Sequence, residues 1–250
     1  MRDIIFQSSI PKRDKITLTP KEFEDGQRND ENFNVLLHKT ADIALNIFNQ
    51  PGLILEFGAG TGLFSKVYVP NYQNSKIVIS EPDEDFLKTI PSKFPRNDNI
   101  LYVQALAEEF HWQDKFDVIL GSEAYHHVPD QNKRKLFTNF HNLLKDHGYL
   151  IIGDNFIPDY NPKNPEDRIN ALHKFLDPYI KEKIKTGDLG GVRSFQYALK
   201  QAESGVMEYK TSLEVFENYS KEAGFVIVRK EELSNDIKNS GGYCIYVLQK

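Results

Sequence analysis

The sequence predicts an α/β protein in which helices cover both faces of a mostly parallel sheet. Its 250 residues, 40% hydrophobic and 27% charged, are enough for one sizeable domain with an elaboration. Apolar runs typical of buried strands recur along the chain, at 53–57, 77–80, 100–104, 117–120 and 149–152. Segments with helical spacing of apolar residues separate these runs, as expected when helices join parallel strands.

Residues 1–50 are predicted to be an N-terminal helical segment. The polar stretch up to about residue 29 contains Pro11 and Pro20. The apolar residues that follow have helical spacing and are expected to pack beside the core: Phe33, Leu36, Leu37, Thr40, Ile43, Ala44, Ile47 and Phe48. The apolar run at the N-terminus is too short for a signal peptide, and no later run approaches the length of a membrane span.

The first apolar run ends in an acidic residue and then three glycines spaced two apart. From Ile54 to Gly62 the chain is Ile-Leu-Glu-Phe-Gly-Ala-Gly-Thr-Gly. Such glycines permit a tight turn and bring bare backbone against a ligand, while the following helix start offers amide hydrogens. The dinucleotide fingerprint requires its third glycine one position later, where this chain has Leu63, and no Gly-Lys-Ser/Thr of a phosphate-binding loop follows. The pattern therefore predicts a turn that binds an adenosine ligand.

A second acidic residue, Glu81, ends the next apolar run, 23 residues after Gly58. A carboxylate there can accept hydrogen bonds from both hydroxyls of a ribose. The residues after it, Pro82 and Asp83, are typical of a helix start. Each motif alone is also compatible with an ordinary turn between a strand and a helix.

Together the Glu-x-Gly-x-Gly-x-Gly pattern and Glu81 resemble the class I S-adenosylmethionine-dependent methyltransferases that act on small molecules. The resemblance covers roughly residues 30–154 and 211–250 and implies a Rossmann-like fold with a seven-stranded, mostly parallel sheet and an antiparallel last strand. It also implies S-adenosylmethionine as cofactor, S-adenosylhomocysteine as product and no metal. The cofactor-binding residues that it implies are Glu56, Gly58, Ala59, Gly60, Gly62, Glu81, Pro82, Ala107, Glu108 and Ser122.

One segment departs from the family pattern. Leu106 occupies the position where the family usually offers an acid to the adenine amino group. Glu108 could substitute for that acid, or the backbone amide of Ala107 could contact the base; Glu108 and Glu109 are equally compatible with surface charges.

Candidate catalytic residues follow the fourth apolar run, at the carboxyl end of the predicted sheet, where open α/β folds bind ligands. The sequence there is Tyr125-His126-His127-Val128-Pro129-Asp130, which resembles a His-His-Leu-Pro-Asp segment of many small-molecule methyltransferases. His126 is the preferred base or substrate contact, with Tyr125 and His127 as further candidates. Each imidazole could instead hold the loop by bonding a backbone carbonyl, and Tyr125 could pack in the core.

The helix before the fifth run has an apolar stripe, Leu136, Phe137, Phe140, Leu143 and Leu144, and Gly148 is its expected terminator. Residues 154–210 then form an insertion that a minimal sheet does not require. A helix is predicted to open at Asn164-Pro165 and to break at Asp177-Pro178. A glycine joint (Gly187, Gly190, Gly191) precedes a second apolar stripe, Phe195, Ala198, Leu199 and Ala202.

The insertion is interpreted as a helical lid over the cofactor, with a dimer-forming helical pair as the alternative. Tyr160, Arg168 and His173 are its candidate substrate contacts. His173 is also compatible with a core histidine, and Arg168 with a solvated helix face.

The C-terminal elements are a helix, a strand and a last strand. Residues 211–214 have the spacing of a capping box, and Gly224 is expected to stop that helix before the strand at 225–228. The last strand, 243–248, follows after a loop, which predicts a closing hairpin.

Composition restricts the function further. A formal net charge of −5 and a pI near 5.8 argue against a broad surface for nucleic acids. The single Cys244 excludes an internal disulfide and suits the cytoplasm. No Asn/Asp-Pro-Pro-Tyr/Phe segment, the usual signature of amino methylation on nucleobases, follows the fourth run.

The sequence therefore favours a single-domain cytoplasmic methyltransferase of 250 residues that acts on an O, N or C atom of a small molecule, without membrane contact and with a possible homodimer. Two alternatives stay open. One is a cofactor-binding protein with a non-methylating, regulatory or assembly role. The other is a nicotinamide oxidoreductase, which only the general sheet pattern and Glu81 favour.

Overall fold

The computed structural model describes residues 4–7, 19–27, 30–49, 52–95 and 97–250. Within these ranges the strands are β1 (Ile4–Phe6), β2 (Leu53–Phe57), β3 (Lys76–Ser80), β4 (Ile100–Gln104), β5 (Phe116–Ser122), β6 (Leu144–Phe156), β7 (Val226–Glu232) and β8 (Gly242–Gln249). The helices are α1 (Pro20–Gln27), α2 (Glu31–Ile47), α3 (Leu63–Tyr68), α4 (Glu84–Leu87), α5 (Asp130–Leu143), α6 (Pro165–Thr186), α7 (Leu189–Ser204), α8 (Leu213–Glu222) and α9 (Ile237–Ser240). None of the helices in these ranges is long and apolar enough to cross a membrane.

The strands form one mostly parallel sheet in the order β1-β4-β3-β2-β5-β6-β8-β7. Every neighbouring pair from β1 to β6 is parallel, and β8 lies antiparallel between β6 and β7. The five apolar runs correspond to β2–β6, and the closing pair β7–β8 is antiparallel, so the predicted α/β class with a mostly parallel sheet and an antiparallel last strand is confirmed. The connection within the closing pair contains the one-turn helix α9 as well as loop.

The sheet has one more strand in the described ranges than the seven that the resemblance implies. β1 pairs in parallel with β4, with Ile4 opposite Tyr102, at the edge of the sheet. Three residues are too few to show a period, so the sequence could not separate β1 from the N-terminal helical segment. The predicted helix in that segment is α2, whose N-cap Asp30 accepts a hydrogen bond from the Phe33 amide at 3.1 Å. Pro11 lies outside the described residues.

Side chains from alternate strand positions pack in two apolar layers, one on each face of the sheet. On one face the strand residues Leu55 and Ile119 pack with α5 and α8. On the other face Ile54 and Val118 pack with α2 and α3. A smaller cluster joins α6 to α7, formed by buried Ile157, Ala171, Leu172, Phe175, Leu176 and Ala202. The near-continuous apolar runs follow from this burial on both faces.

Three predicted helix boundaries were wrong. α5 ends at Leu143, and Gly148 lies inside β6, because Leu144 already pairs with Phe116 of β5. α6 continues through Pro178 to Thr186, since buried apolar residues on both sides of the proline keep one face of the helix packed. The N-cap of α8 is Ser212, whose hydroxyl accepts from the Val215 amide.

Candidate active site

The glycine turn after β2 has the backbone conformation that the sequence predicted. Gly58, Gly60 and Gly62 have φ values of 61°, 55° and 84°, in the left-handed region where a side chain is strained. A Cβ at Gly58 would also lie 2.6 Å from the Cβ of Ala124. The turn therefore needs glycine both for its dihedral angles and for its contact with the segment after β5.

Glu81 ties the glycine turn to the end of β3. Its Oε2 accepts a hydrogen bond from the Gly60 amide at 2.8 Å, and its Oε1 accepts from the Asp83 amide at 2.9 Å. The residue is only 6% exposed. Because both bonds come from backbone amides, the carboxylate orients the two loops as well as facing the cavity beside them.

A cavity of about 620 Å³ opens at the carboxyl ends of β2–β5. Eight of the ten predicted cofactor residues line it: Gly58, Ala59, Gly60, Glu81, Pro82, Ala107, Glu108 and Ser122. Leu106 lines it as well, and Glu108 accepts a hydrogen bond from Asn132 Nδ2 at 3.0 Å. The structure thus brings together residues that are up to 64 positions apart in the chain, from Gly58 to Ser122.

The two other predicted cofactor residues, Glu56 and Gly62, do not line the cavity. Glu56 is buried behind the turn, where its Oε2 accepts from Ser65 Oγ at 2.6 Å and from Tyr68 OH at 2.8 Å. Burial raises its pKa to about 7. Gly62 is the N-cap of α3, and a Cβ there would meet Ile90 at 3.1 Å. Both residues support the turn from behind.

The two adjacent histidines have different surroundings. His127 lines the cavity, and its Nδ1 donates to the Met207 carbonyl at 2.6 Å. Burial and the neighbouring His126 lower its pKa to about 4, so the ring is neutral at physiological pH. Its Nδ1 carries the proton, so Nε2 is the hydrogen-bond acceptor of this ring.

His126, the preferred base, lies behind His127 and does not line the cavity. Its Nδ1 donates to Asp154 Oδ1 at 2.6 Å, and its Nε2 is 3.7 Å from Glu208 Oε2. Burial alone would lower the pKa of His126, but the Asp154 and Glu208 carboxylates together raise it. The imidazole is thus held between two buried carboxylates, as a positioning group for the loop.

Tyr125 is part of the core. Its ring packs against Phe137 and Phe216, and its OH accepts from Thr211 Oγ1 at 3.3 Å. The buried ammonium of Lys133 lies 4.1 Å from the centre of the same ring. The sequence left two roles open for Tyr125, catalysis and core packing. The structure places its side chain in the core.

Lys133 was not singled out from the sequence. It donates to the carbonyls of Tyr125 at 3.1 Å and of Val128 at 2.8 Å, and so holds the loop that carries both histidines. Burial lowers its pKa to about 7. Lys133 lies three residues before Leu136, on the apolar stripe of α5, and this position in the sequence could have indicated that the lysine is buried.

Glu123 is the cavity residue that the sequence prediction missed. It follows β5 directly, lines the cavity and has a φ of 54°. Both of its carboxylate oxygens accept from Asn155 Nδ2, at 3.1 and 3.0 Å. Burial and the nearby Asp154 raise its pKa to about 7. Its place at the end of a predicted strand was a signal, but its partner Asn155 comes from the next strand.

The three predicted substrate contacts in the insertion do not line the cavity. Arg168 donates to the carbonyls of Ala202 and Lys210, both at 3.3 Å, and so links α6 to the segment after α7. His173 pairs with Asp177 and Glu203, and its side chain is 42% exposed. It lies between α6 and α7 rather than in the core. Tyr160 packs at the edge of the α6–α7 cluster.

Two groups near the histidines have the composition of a metal site: His126, His127 and Glu208, and Glu123, His126 and Asp154. Protein side chains already pair with two of the three carboxylates in these groups, Glu208 and Asp154. Lys210 Nζ lies 2.8 Å from Glu208 Oε2, while His126 faces Asp154. Lys210 and the histidines together overcome burial and lower the pKa of Glu208 to about 2. A divalent cation would meet an adjacent ammonium here, so the predicted absence of a metal is kept as a prediction.

Comparison with known proteins adds independent support for the fold and the turn. A family model described as a methyltransferase domain matches residues 54–148. The chain is 29% identical over 153 residues to malonyl-[acyl-carrier protein] O-methyltransferase 2 of Ilyobacter polytropus. That match covers 60% of this chain and 56% of the relative, so the chain spans just over half of that protein's length. An uncharacterized methyltransferase of Geobacillus sp. is 26% identical over 203 residues, which cover 79% of this chain and 81% of the relative.

Solved structures resemble the fold at low identity. The N-methyltransferase NodS from Bradyrhizobium japonicum, in complex with S-adenosyl-L-homocysteine, has a TM-score of 0.60 and 12% identity, and the match covers 92% of this chain and 98% of NodS. The 1,6-didemethyltoxoflavin-N1-methyltransferase of Burkholderia thailandensis has a TM-score of 0.58 and 13% identity over 95% of this chain and 92% of its own. At these identities the likeness concerns the fold.

Proposed function

We propose that this chain, which belongs to the class I S-adenosylmethionine-dependent methyltransferases, transfers a methyl group from S-adenosylmethionine to an O, N or C atom of a small molecule. One observation carries the proposal. Gly58 and Gly60, two of the three left-handed glycines, line the cavity, and the Gly60 amide fixes the carboxylate of Glu81 beside them.

The residues around the cavity fit such a cofactor. Ser122 lines the cavity, and its buried hydroxyl has no hydrogen-bond partner among the described residues. A buried hydroxyl without a hydrogen-bond partner destabilises the folded protein unless a bound ligand supplies that partner. A carboxylate can accept about four hydrogen bonds, and two of those on Glu81 come from backbone amides.

In this proposal Gly58 and Gly60 hold the amino-acid part of the cofactor, Glu81 holds the ribose, and Ala107 and Glu108 contact the adenine. The bound cofactor supplies an electrophilic methyl group on a sulfonium. The protein must align the acceptor about 3 Å from that methyl group and exclude water. His127 offers Nε2 as a hydrogen-bond acceptor at the cavity wall, with His126 holding its loop.

We further propose that residues 154–210 act as the lid of this site, and that the whole chain is one methyltransferase unit. Met207 of this segment lines the cavity, and α7 contacts α1, whose Phe23 also lines it. The helices of the lid would then select the acceptor through α1 rather than by touching it themselves.

Two measurements test the proposed function. Calorimetric titration should show binding of S-adenosylmethionine and S-adenosylhomocysteine and no binding of NAD. Incubation with candidate acceptors should give S-adenosylhomocysteine and an acceptor that is heavier by one methylene. Binding without any transfer would favour a non-methylating role, and failure of a folded protein to bind either sulfur nucleoside would refute the proposal.

A further inference from the structure

The charged side chains that line the cavity are all acidic. They are Glu81, Asp83, Glu84, Glu108 and Glu123, and the described residues contribute no lysine or arginine to the lining. Two nearby ammonium groups are engaged elsewhere, since Lys210 pairs with Glu208, and Lys93 with Glu24 and the Thr61 carbonyl. The only histidine among the lining residues, His127, is neutral at physiological pH. The described side chains that line the cavity therefore offer no positive charge to an anionic acceptor.

Aromatic rings make up much of the remaining wall. The lining includes Phe23, Phe33, Phe57, Phe64 and Phe86. Phe23 of α1 meets Phe86 of α4 edge to face, with ring centres 5.4 Å apart. Faces of aromatic rings attract cations, most strongly where water is excluded. The wall thus suits a molecule with an apolar body and a positive charge.

Glu123 gives that charge a specific partner. It lies directly after β5, where the family places its catalytic loop, and Asn155 donates to both of its oxygens from β6. Five charged or phenolic groups interact electrostatically with Glu123: Asp154, His126, Lys210, Tyr179 and Tyr243. The neighbouring Ser122 lines the same cavity, and its buried hydroxyl has no hydrogen-bond partner among the described residues. Among the lining carboxylates, Glu123 is the one at the end of β5, whereas Glu81, Asp83 and Glu84 follow β3 and Glu108 follows β4.

We propose that the acceptor is an amine with an apolar body, bound as its ammonium cation, and that Glu123 is the residue that pairs with the ammonium and removes its proton. This inference rests on the proposed methyl transfer and narrows the acceptor atom from oxygen, nitrogen or carbon to nitrogen.

The step balances with these groups alone. The Glu123 carboxylate takes one proton from the ammonium, and the freed lone pair of the amine forms the new nitrogen–carbon bond. The sulfur–carbon bond breaks with its electron pair remaining on sulfur, which leaves a neutral thioether. The product is a methylated ammonium, and the proton on Glu123 returns to solvent. A protein base is needed here because an ammonium has no lone pair for the attack.

Binding of matched probes tests the inference separately from turnover. The purified full chain, saturated with S-adenosylhomocysteine, is titrated by calorimetry with benzylamine, benzyl alcohol and benzoate at about pH 8, where Glu123 is ionised. We expect benzylamine to bind at least about tenfold more tightly than benzyl alcohol, and benzoate more weakly than both. Glu123→Gln should abolish the preference for the amine while leaving the affinity for S-adenosylhomocysteine unchanged, which also shows that the variant is folded.

The matched control is Glu109→Gln, an exposed acid in the same loop as Glu108 that pairs with Lys135 and does not line the cavity. It should keep the wild-type preference. The inference is overturned if the amine binds no more tightly than the alcohol, including the case in which neither binds, or if Glu123→Gln retains the preference. Loss of binding of S-adenosylhomocysteine to the wild-type chain would instead refute the proposed function itself.

Discussion

At the scale of single residues, Glu81 has a role in the cavity wall and a role in the backbone. Replacing it with alanine removes the acceptor of the Gly60 and Asp83 amides together with the carboxylate that faces the cavity. We expect Glu81→Ala to weaken binding of S-adenosylhomocysteine by about 1–3 kcal/mol, the usual cost of losing hydrogen bonds to a charged group. Calorimetric titration measures this, with the exposed Asp85→Ala of α4 as control. Equal affinity in both variants would remove Glu81 from the cofactor site.

His126 is expected to matter for stability as much as for catalysis. His126→Ala would leave Asp154, which is fully buried, without the imidazole that faces it. Breaking a buried pair from one side costs about 3–5 kcal/mol, whereas an exposed pair contributes at most about 1 kcal/mol. Urea unfolding should therefore show a large decrease in the free energy of unfolding for His126→Ala. The decrease should be small for His173→Ala, because the ion pairs of His173 are on the surface. Similar losses in the two variants would show that the buried pair adds no stability.

Residue roles were predictable where one local pattern fixes them. The glycines and Glu81 belong to a strand–turn–helix pattern whose geometry follows from the backbone alone. Gly58, Gly60 and Glu81 line the cavity, whereas Gly62 supports the turn from behind. The choice between His126 and His127 was not predictable, because adjacent residues on one tight turn point in different directions. Glu123 was missed because its partner Asn155 is 32 residues away in the chain.

At the scale of elements, the buried strands were the most predictable part. Burial on both faces of the sheet leaves near-continuous apolar runs, and all five runs correspond to strands. Boundaries were less predictable where tertiary packing outweighs a local signal. The helix α6 shows this, since it continues through Pro178, where the sequence predicted a break.

Pro178 lies inside α6 and is exposed, so it removes a backbone hydrogen bond without adding a buried contact. Pro178→Ala should therefore stabilise α6 by about 1–3 kcal/mol. Amide hydrogen exchange along α6 should slow, and the thermal midpoint should rise. Pro165 is a matched control because it lies in the first turn of α6, where proline is tolerated. Pro165→Ala should therefore not raise the thermal midpoint. Faster exchange in Pro178→Ala would mean that the proline itself shapes the contact with α7.

At the scale of the whole molecule, the mostly parallel sheet with an antiparallel last strand followed from the family resemblance, but the arrangement of helices over the cavity did not. Residues of α1 and α2, Phe23, Phe33 and Leu37, line the cavity. Periodicity showed only that α2 is amphipathic, and it carries no information about where along the sheet that face packs. α7 contacts α1, which the sequence also could not indicate.

The pH dependence of stability is a property of the whole chain to which Glu56 contributes. Burial raises the pKa of Glu56 from 4.5 to about 7, so the folded protein binds more protons than the unfolded chain between these values. Stability must then fall as the pH rises through this window. Glu56→Gln removes this pH-dependent contribution to stability, and its amide oxygen can still accept the hydrogen bonds from Ser65 and Tyr68. Between about pH 5 and pH 8 the variant should gain about 2 kcal/mol relative to wild type.

Denaturant unfolding at several pH values measures this difference. The exposed Glu109→Gln is the control, and its stability relative to wild type should stay constant over the same range. A constant difference for Glu56→Gln as well would show that Glu56 is ionised in the folded protein throughout.

The two outer strands of the sheet bear on how copies of this protein meet. β1 has only three residues, and β7 ends in four consecutive charged residues, Arg229 to Glu232. Short or charged outer strands resist extension of a sheet from one molecule into the next, which is a common route to aggregation and fibrils. We therefore expect a homodimer of this protein to form through its helices rather than by pairing of its outer strands.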